Sequence, residues 1–257
     1  MSNSIFNGLN HLTKGAQLIV KPELRWFVFV PVMINIVLFV ILTGILIDQF
    51  GLALTWLLDW IPGWLDFLAW ILWMLFSAVL LLVYGYSFSV LTNIIAAPFY
   101  GILADRTEAL LKGQGADPEP LSKMIPRTLG REMVKLWYFI VRGVAIFILT
   151  LILSWIPLVN LLVPVIIFVW GAWTMAIQYV DYTADNHQLA FPAMRERLSA
   201  KKYSSVGFGA LVMIGTMIPL ANIIILPIAV VGGTVFWIEE LEDCLLYTSD
   251  AADEEDS

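Results

Sequence analysis

Long runs without charge organise the chain. Phe27 to Ile47 carries no charged residue, and as a helix it reaches roughly 31 Å, one bilayer core. Phe67 to Ala104 is also uncharged. As one helix it would reach roughly 57 Å, so it must leave the membrane or break, and Pro98 after Ala96-Ala97 is the natural break. Two more uncharged runs, Gly143 to Val180 and Tyr203 to Ile238, each hold paired prolines near their middle. They read Trp155-Ile-Pro-Leu-Val-Asn-Leu-Leu-Val-Pro164 and Met217-Ile-Pro-Leu-Ala-Asn-Ile-Ile-Ile-Leu-Pro227. The shared Ile-Pro-Leu-x-Asn core is a weak internal repeat, two copies of one structural unit.

Arm length suggests what that unit is. Residues 143–156, 165–180, 206–218 and 228–238 would span roughly 21, 24, 20 and 17 Å as helices, each short of a core of about 30 Å. Each pair therefore reads as a re-entrant hairpin with its tip inside the bilayer, at Pro157 and Asn160 in the first and at Pro219 and Asn222 in the second. The competing reading is a pair of complete but kinked spans.

Charge placement sets the topology. All 14 Lys and Arg fall within residues 1–26, 105–142 and 181–202, and the loop from Asp48 to Asp66 has none. The positive-inside rule puts that loop outside and the three basic segments in the cytoplasm. The third run then starts and ends inside, which excludes a single kinked span. The expected architecture is an all-α integral membrane protein with two long transmembrane helices, two proline-broken re-entrant hairpins and a basic cytoplasmic helical cap. In order these are an amphipathic segment (1–26), a span (27–47), a span (67–90, extended to 104), the cap (105–142), a hairpin (143–180), a linker (181–202) and a hairpin (203–238), all in one membrane domain (1–243). Ile5, Phe6, Leu9, Leu12, Ala16 and Ile19 recur at helical spacings, as in a helix lying on the inner leaflet. Trp56, Trp60 and Trp64 in the outside loop read as an interfacial anchor.

Composition agrees. Hydrophobic residues make up 60% and charged residues 14%, with a mean hydropathy of +0.85, whereas soluble domains are about 25% charged. That excludes an ordinary soluble enzyme and a nucleic-acid partner. The formal net charge of −7 owes five acids to residues 244–257, a segment that reads as a non-native tail. Cys244 is the sole cysteine, so no disulfide or cysteine-based metal site is expected. Residues 1–26 show no cleavable signal pattern.

Neither cofactor nor metal is expected, and no nucleophile or phosphate-loop motif suggests an enzyme. One basic element is well placed: Lys21-Pro22-Glu23-Leu24-Arg25-Trp26 precedes the first span. Proline favours the first helical turn, and the amides of Glu23, Leu24 and Arg25 would then lack intrahelical partners. Those donors, the helix dipole and the arginine fork form a site for a tetrahedral oxyanion. The alternative is an arginine at headgroup level that orients the span. At the exit of the first hairpin, Gln178, Asp181, Tyr182, Asp185, Asn186 and His187 read either as a gate or proton-coupling group, or as groups that cap the helix and pair with basic residues. Asp105 and Glu108 are similar candidates. Arg127, Arg131 and Lys135 repeat every four residues on one helix face, read either as contacts to anionic lipid or as an electrostatic funnel.

Five segments stand out together: Lys21-Pro-Glu-Leu-Arg-Trp-Phe27, Asn93-Ile-Ile-Ala-Ala-Pro-Phe99, Phe208-Gly-Ala210, Met217-Ile-Pro219 and the run Trp173-Thr-Met-Ala-Ile-Gln-Tyr-Val-Asp-Tyr-Thr-Ala-Asp-Asn-His187. In these the chain resembles the CysZ family of bacterial sulfate permeases. The resemblance covers about residues 8–240. It implies a multi-pass, oligomeric protein of the bacterial inner membrane that takes up sulfate for cysteine biosynthesis. The family's usual second arginine is Trp26 here, and Glu23 stands where a glycine is usual. The resemblance therefore carries Arg25 and the adjoining backbone of Pro22, Glu23 and Leu24 over as a sulfate site, but not a two-arginine clamp. Hidden hairpin tips would require neighbouring copies of the chain, hence a homo-oligomer in contact with membrane lipid. The alternative function is a non-transporting membrane interaction protein whose hairpins serve assembly. A lipid-modifying enzyme using the cap carboxylates ranks last.

Overall fold

Every regular element in the computed structural model is helical among the described residues, 3–59, 69–116 and 119–242. In chain order they are α1 (Ile5–Leu18), α2 (Pro22–Asp59), α3 (Ala69–Lys112), α4 (Leu121–Ser154), a 3-10 turn (Val159–Leu162), α5 (Val163–Asn186), α6 (Phe191–Ala200), α7 (Lys202–Thr216), α8 (Pro219–Phe236) and a terminal π-turn (Trp237–Leu241). Trp60, Trp64, Asp66 and the expected tail 244–257 lie outside the described residues.

Several boundaries differ from expectation. Pro98 lies inside α3 and does not end it. A proline removes one hydrogen bond from a helix, and a long apolar helix absorbs that loss. The stretch from Asp48 onward is not a loop at first, since α2 runs on to Asp59. The basic cap is not a separate element. It consists of the end of α3 and the first part of α4, joined through Gly113 at φ 80°.

The chain divides into two compact units. One is formed by residues 30–96, which take in α2 from Val30 to its end and the first part of α3. Within it Thr43 Oγ1 and Tyr84 OH lie 2.7 Å apart, joining the two helices. Its surface is apolar, with Phe39, Val40, Leu81 and Leu82 all exposed, as a lipid-facing surface should be.

The other unit holds residues 1–29 and 97–257. Here α5 packs on α4 and α7, and α1 packs on both α7 and α8. Close packing rests on small residues. A Cβ at Gly233 would lie 2.6 Å from the Tyr179 carbonyl oxygen, and one at Gly15 would lie 2.7 Å from the Gly232 amide. Backbone approaches of this kind are the usual way apolar helices associate where lipid removes the hydrophobic drive. Gly8, His11 and Gly15 form the buried face of α1, leaving Ile5, Phe6 and Leu9 exposed. Ser4 caps the helix by accepting from the Phe6 amide at 3.3 Å.

Three segments are long and apolar enough to cross a bilayer among the described residues: Leu121–Ser154, Val159–Asn186 and Ile224–Leu241. The chain is an all-helical membrane protein. The arms of the first hairpin are longer than the sequence suggests, because α4 and α5 run on through the charged segments on either side. The first tip is an open turn between Ser154 and Val163, where Leu158 takes φ 69°. The second is tighter than expected: only Met217 and Ile218 separate α7 from α8. Pro219 opens α8 and Pro227 lies within it, so residues 219–227 are helix. Proline at the first helical position sacrifices only a donor that has no partner there anyway. The side chains of Pro219 and Asn222 lie outside the described set.

Candidate functional site

The polar residues of α4 and α5 meet across their antiparallel contact. Arg127, Arg131 and Lys135 face α5, where Asp181 and Asp185 repeat at the same four-residue interval. In an antiparallel pair this register matches 131 with 181 and 127 with 185. Arg131 donates to Asp181 from Nε at 3.0 and 3.1 Å and from Nη2 at 2.6 Å. Its Nη1 also donates to the Leu189 carbonyl at 2.9 Å. Arg127 holds Asp185 Oδ1 at 2.5 Å and Glu119 at 3.0 Å, and Thr128 Oγ1 donates to Asp185 Oδ2 at 3.0 Å.

Lys135 is the deepest cation, with its side chain 1% exposed. It lies 2.5 Å from Glu132 and 3.3 Å from Asp181, and its ammonium sits 4.5 Å from the Tyr182 ring centroid. Gln178 closes the layer, donating to Tyr182 OH at 2.8 Å and to Glu132 Oε2 at 3.4 Å. A charge buried this deeply needs partners on every side. Arg131 and Lys135 of the basic stripe are thus paired with Asp181 and Glu132. Asp181 and Asp185 both pair with basic residues of α4. Glu132 was not singled out in the sequence, although its place one turn before Lys135 on the same face was a usable signal.

A second layer joins the end of α3 to the exit of α5. His187 Nε2 lies 2.9 Å from both Glu108 carboxylate oxygens, and Lys112 Nζ lies 3.1 Å from Glu108 and 2.5 Å from Glu242. The Glu108 hydrogen bond raises the His187 pKa against the opposing effect of burial. Burial alone would push the Glu108 carboxyl up, but His187 and Lys112 outweigh it and hold it below the usual range. Asp105 makes no ion pair among the described residues; its Oδ1 accepts from the Ala116 amide at 3.0 Å and shapes the turn after α3. Asn186 donates to the Gly101 carbonyl at 2.7 Å, tying the same two helices.

Sequence reasoning also missed a third cluster. His11, buried on α1, lies 2.9 Å from Glu240 and 3.3 Å from Glu239, and Lys14 lies 2.5 Å from Glu239. The signal was present: Gly8, His11 and Gly15 fall on one helix face, a small-residue face with one polar side chain at its centre.

The start of α2 corrects one detail of the oxyanion reading. Leu24 and Arg25 do not offer free amides, because the Lys21 carbonyl accepts from both, at 3.1 and 3.3 Å. Lys21 serves as the cap residue, and a cap carbonyl takes the first intrahelical bonds. Glu23 keeps the one amide of the three without an acceptor among the described residues. Leu24 is fully buried, whereas Lys21, Glu23 and Arg25 are exposed. Arg25 makes no ion pair among the described residues, unlike Arg127 and Arg131.

Apolar helices of bilayer length, paired charges gathered at the ends remote from the first tip, and at a helix start a guanidinium without an ion pair among the described residues define a multi-pass integral membrane protein. The sequence profile of the family described as sulfate transporter CysZ/etoposide-induced protein 2.4 matches residues 11–227. The chain is 42% identical to the sulfate transporter CysZ of Pseudomonas fluorescens (strain Pf0-1), over 93% of this chain and 96% of that protein. It is 39% identical to the sulfate transporter CysZ of Pseudomonas aeruginosa (strain LESB58), over 91% and 95%. With the sulfate transporter CysZ of Vibrio parahaemolyticus it shares 37% identity, over 94% and 98%. The chain belongs to the sulfate transporter CysZ/etoposide-induced protein 2.4 family.

Proposed function

We propose that this protein carries sulfate across the bacterial inner membrane to supply cysteine biosynthesis, as a transporter and not an enzyme. The observation that carries the reading is family membership along nearly the whole chain, with relatives named sulfate transporter at 37% to 42% identity. Arg25, with the Glu23 amide and the backbone of Pro22 and Leu24, is the entry site for the dianion. Its support is an exposed guanidinium, without an ion pair among the described residues, beside the positive end of a helix dipole. A single arginine predicts weaker capture than two would give.

In this reading the chain has two full spans and two hairpins that enter the membrane from the cytoplasmic side. Arg142 is exposed on α4, and the apolar remainder of α4 beyond it is about 18 Å long. On α5 the apolar portion before Gln178 is about 22 Å, and α7 in its entirety is about 22 Å. These three lengths support half-membrane penetration of α4, α5 and α7, whereas α8 continued to Ile238 is about 30 Å, the length of a full crossing. The first tip exposes Trp155, Leu158 and Leu161, a surface that needs lipid or a second copy of the chain to cover it. That requirement supports a homo-oligomer whose subunits shield the tips and enclose a partly hydrated route. His187 and Glu108 are the candidates for proton coupling. Asp181 and Asp185, ion-paired to α4, and Asp105, at the turn after α3, are the gating candidates beside them.

The test is labelled-sulfate uptake into proteoliposomes holding the purified full chain. Flux should be saturable and should fall about tenfold or more on Arg25→Ala, the scale of a lost charge-assisted contact. Flux no higher than in empty liposomes overturns the reading. A rate that ignores a pH gradient removes the proton-coupled version and leaves the channel. With Cys244 replaced, single cysteines at Asn160 and Asn222 should resist labelling from outside, and outside-only labelling overturns the topology.

A further inference from the structure

A cavity of about 530 Å3 lies among the second half of α1 with Lys21 beyond it, the end of α3, and the end of α8 with the π-turn that follows. Its lining has two characters. Lys14, Gln17, Lys21 and Glu239 form a polar rim, and Leu18, Leu111, Val235 and Ile238 form an aliphatic wall. Within the rim, Lys14 lies 2.5 Å from Glu239 and neutralises it. Lys21 is exposed and makes no ion pair among the described residues. The rim therefore presents one uncompensated positive charge beside an apolar wall.

The depth of the cavity follows from its neighbours. Lys21 directly precedes α2, where Trp26 and Phe29 are 67% and 58% exposed, and Val20 beside it is 75% exposed. Trp26 lies about 8 Å further along the helix. Exposed aromatic residues just beyond a lysine mark the boundary between headgroups and hydrocarbon. The exposed Ile5, Phe6 and Leu9 of α1 suit the same interfacial layer.

We propose that this cavity binds one anionic phospholipid, its phosphodiester on Lys21 and the start of an acyl chain against Leu18, Leu111, Val235 and Ile238. A phosphodiester carries a single charge and matches Lys21, the one rim cation without an ion pair among the described residues. An inorganic dianion would face four aliphatic side chains with only one cation to offset its desolvation. An amphiphile gains from both surfaces: the charge near the membrane surface and the burial of apolar area. The volume exceeds a headgroup alone and falls in the usual range for bound ligands. The site is separate from Arg25 and stands whether or not the sulfate reading does.

Native mass spectrometry of the full chain in mild detergent tests this, with phosphatidylglycerol, phosphatidylethanolamine and inorganic phosphate added in separate arms. One phosphatidylglycerol per chain should be retained in preference to phosphatidylethanolamine. Lys21→Gln should weaken that retention about fivefold, the scale of one basic residue near a membrane surface. Leu111→Glu, which sets an anion on a half-exposed part of the wall, should weaken it at least as much. Lys123→Gln, an exposed lysine at the start of α4, should leave it unchanged. Equal retention of the two lipids overturns the proposal, as does an equal loss with Lys123→Gln or no loss with Lys21→Gln. Displacement of the lipid by millimolar phosphate also overturns it and assigns the rim to a free anion.

Discussion

The two hairpins share Ile-Pro-Leu-x-Asn and build different tips from it. In the first copy Pro157 lies in an open turn, Leu158 adopts φ 69°, and a 3-10 turn follows before α5 begins at Val163. In the second copy Ile218 is extended and Pro219 opens α8 at once. Proline permits both outcomes, since a fixed φ and a missing donor suit a turn and a first helical position equally. What differs is the surroundings. The arms of the first hairpin present mostly exposed apolar side chains. In the second, α1 and α5 pack against α7 and α8, and Ala229, Val230, Val231, Val235 and Phe236 are buried. The repeat marks where the chain turns, and packing decides how.

The contrast is sharpest where helices touch. Gly233→Leu in the second hairpin would drive a side chain into the Tyr179 carbonyl, which backbone cannot easily vacate. The expected loss is about 3 kcal/mol or more, read as a collapse of monodisperse protein on size exclusion. In the first hairpin, on the outward part of α4, Gly143→Leu meets nothing nearer than Trp170 Nε1 at 4.0 Å. It should cost less than about 0.5 kcal/mol. Equal losses at the two positions would mean the hairpins are packed alike.

The first hairpin is instead held at its base. Lys135→Ala leaves Glu132 and Asp181 buried with a cation removed, at a cost of about 3 kcal/mol, read as a lower thermal midpoint in detergent. Lys123→Ala on the same helix is exposed and should shift nothing measurable. A Lys135 variant as stable as the parent would remove the charge layer as the clamp between α4 and α5.

The same motif residue should answer with opposite signs in the two copies. Leu158 holds a positive φ that costs an L-residue about 1 kcal/mol or more, so Leu158→Gly should be neutral or mildly stabilising. Leu220 occupies the first turn of α8, where Leu220→Gly should destabilise by about 0.5–1 kcal/mol. Thermal midpoints of the two variants, measured side by side, check this. Matching signs would show that the turn at Leu158 is not strained.

Much of this was legible in the sequence. Uncharged runs located the apolar helices, and the shared motif located both turns. The four-residue spacing of Arg127, Arg131 and Lys135 against Asp181 and Asp185 contained the antiparallel pairing. Helix ends were not legible, because Pro98 and Pro227 read as breaks although a helix continues through either. The fate of the amides at Leu24 and Arg25 was hidden for a similar reason: whether a cap carbonyl reaches them depends on the cap residue's geometry. The contacts of His11 with Glu239 and Glu240 join residues more than two hundred positions apart: the small-residue face of α1 marks His11 as buried, but no local pattern names its partners. Arg25 stood out by position in the sequence and by the absence of an ion pair among the described residues in the fold.

The smallest effect concerns the layer that ties α3 to the exit of the first hairpin. His187 is raised by its bond to Glu108, from an ordinary 6.5. Its contribution is therefore complete below that value and fades as pH rises through the elevated folded pKa. Glu108 is lowered from an ordinary 4.5 in spite of its burial. Its contribution is complete above that value and fades as pH falls through the depressed folded pKa. The contact should be strongest between these two ordinary values and should weaken on the alkaline side as the imidazole loses its proton. A double-mutant cycle between His187→Ala and Glu108→Gln should give a coupling on the order of 1 kcal/mol near pH 6, shrinking by pH 9. The second hairpin supplies the contrast, since Thr183 and Thr234 meet at 2.9 Å with no ionisable group. A cycle between Thr183→Val and Thr234→Val should give the same small coupling at both pH values. If the His187–Glu108 coupling were equally flat, the proton would reside elsewhere, and this pair would hold α3 in place without sensing pH.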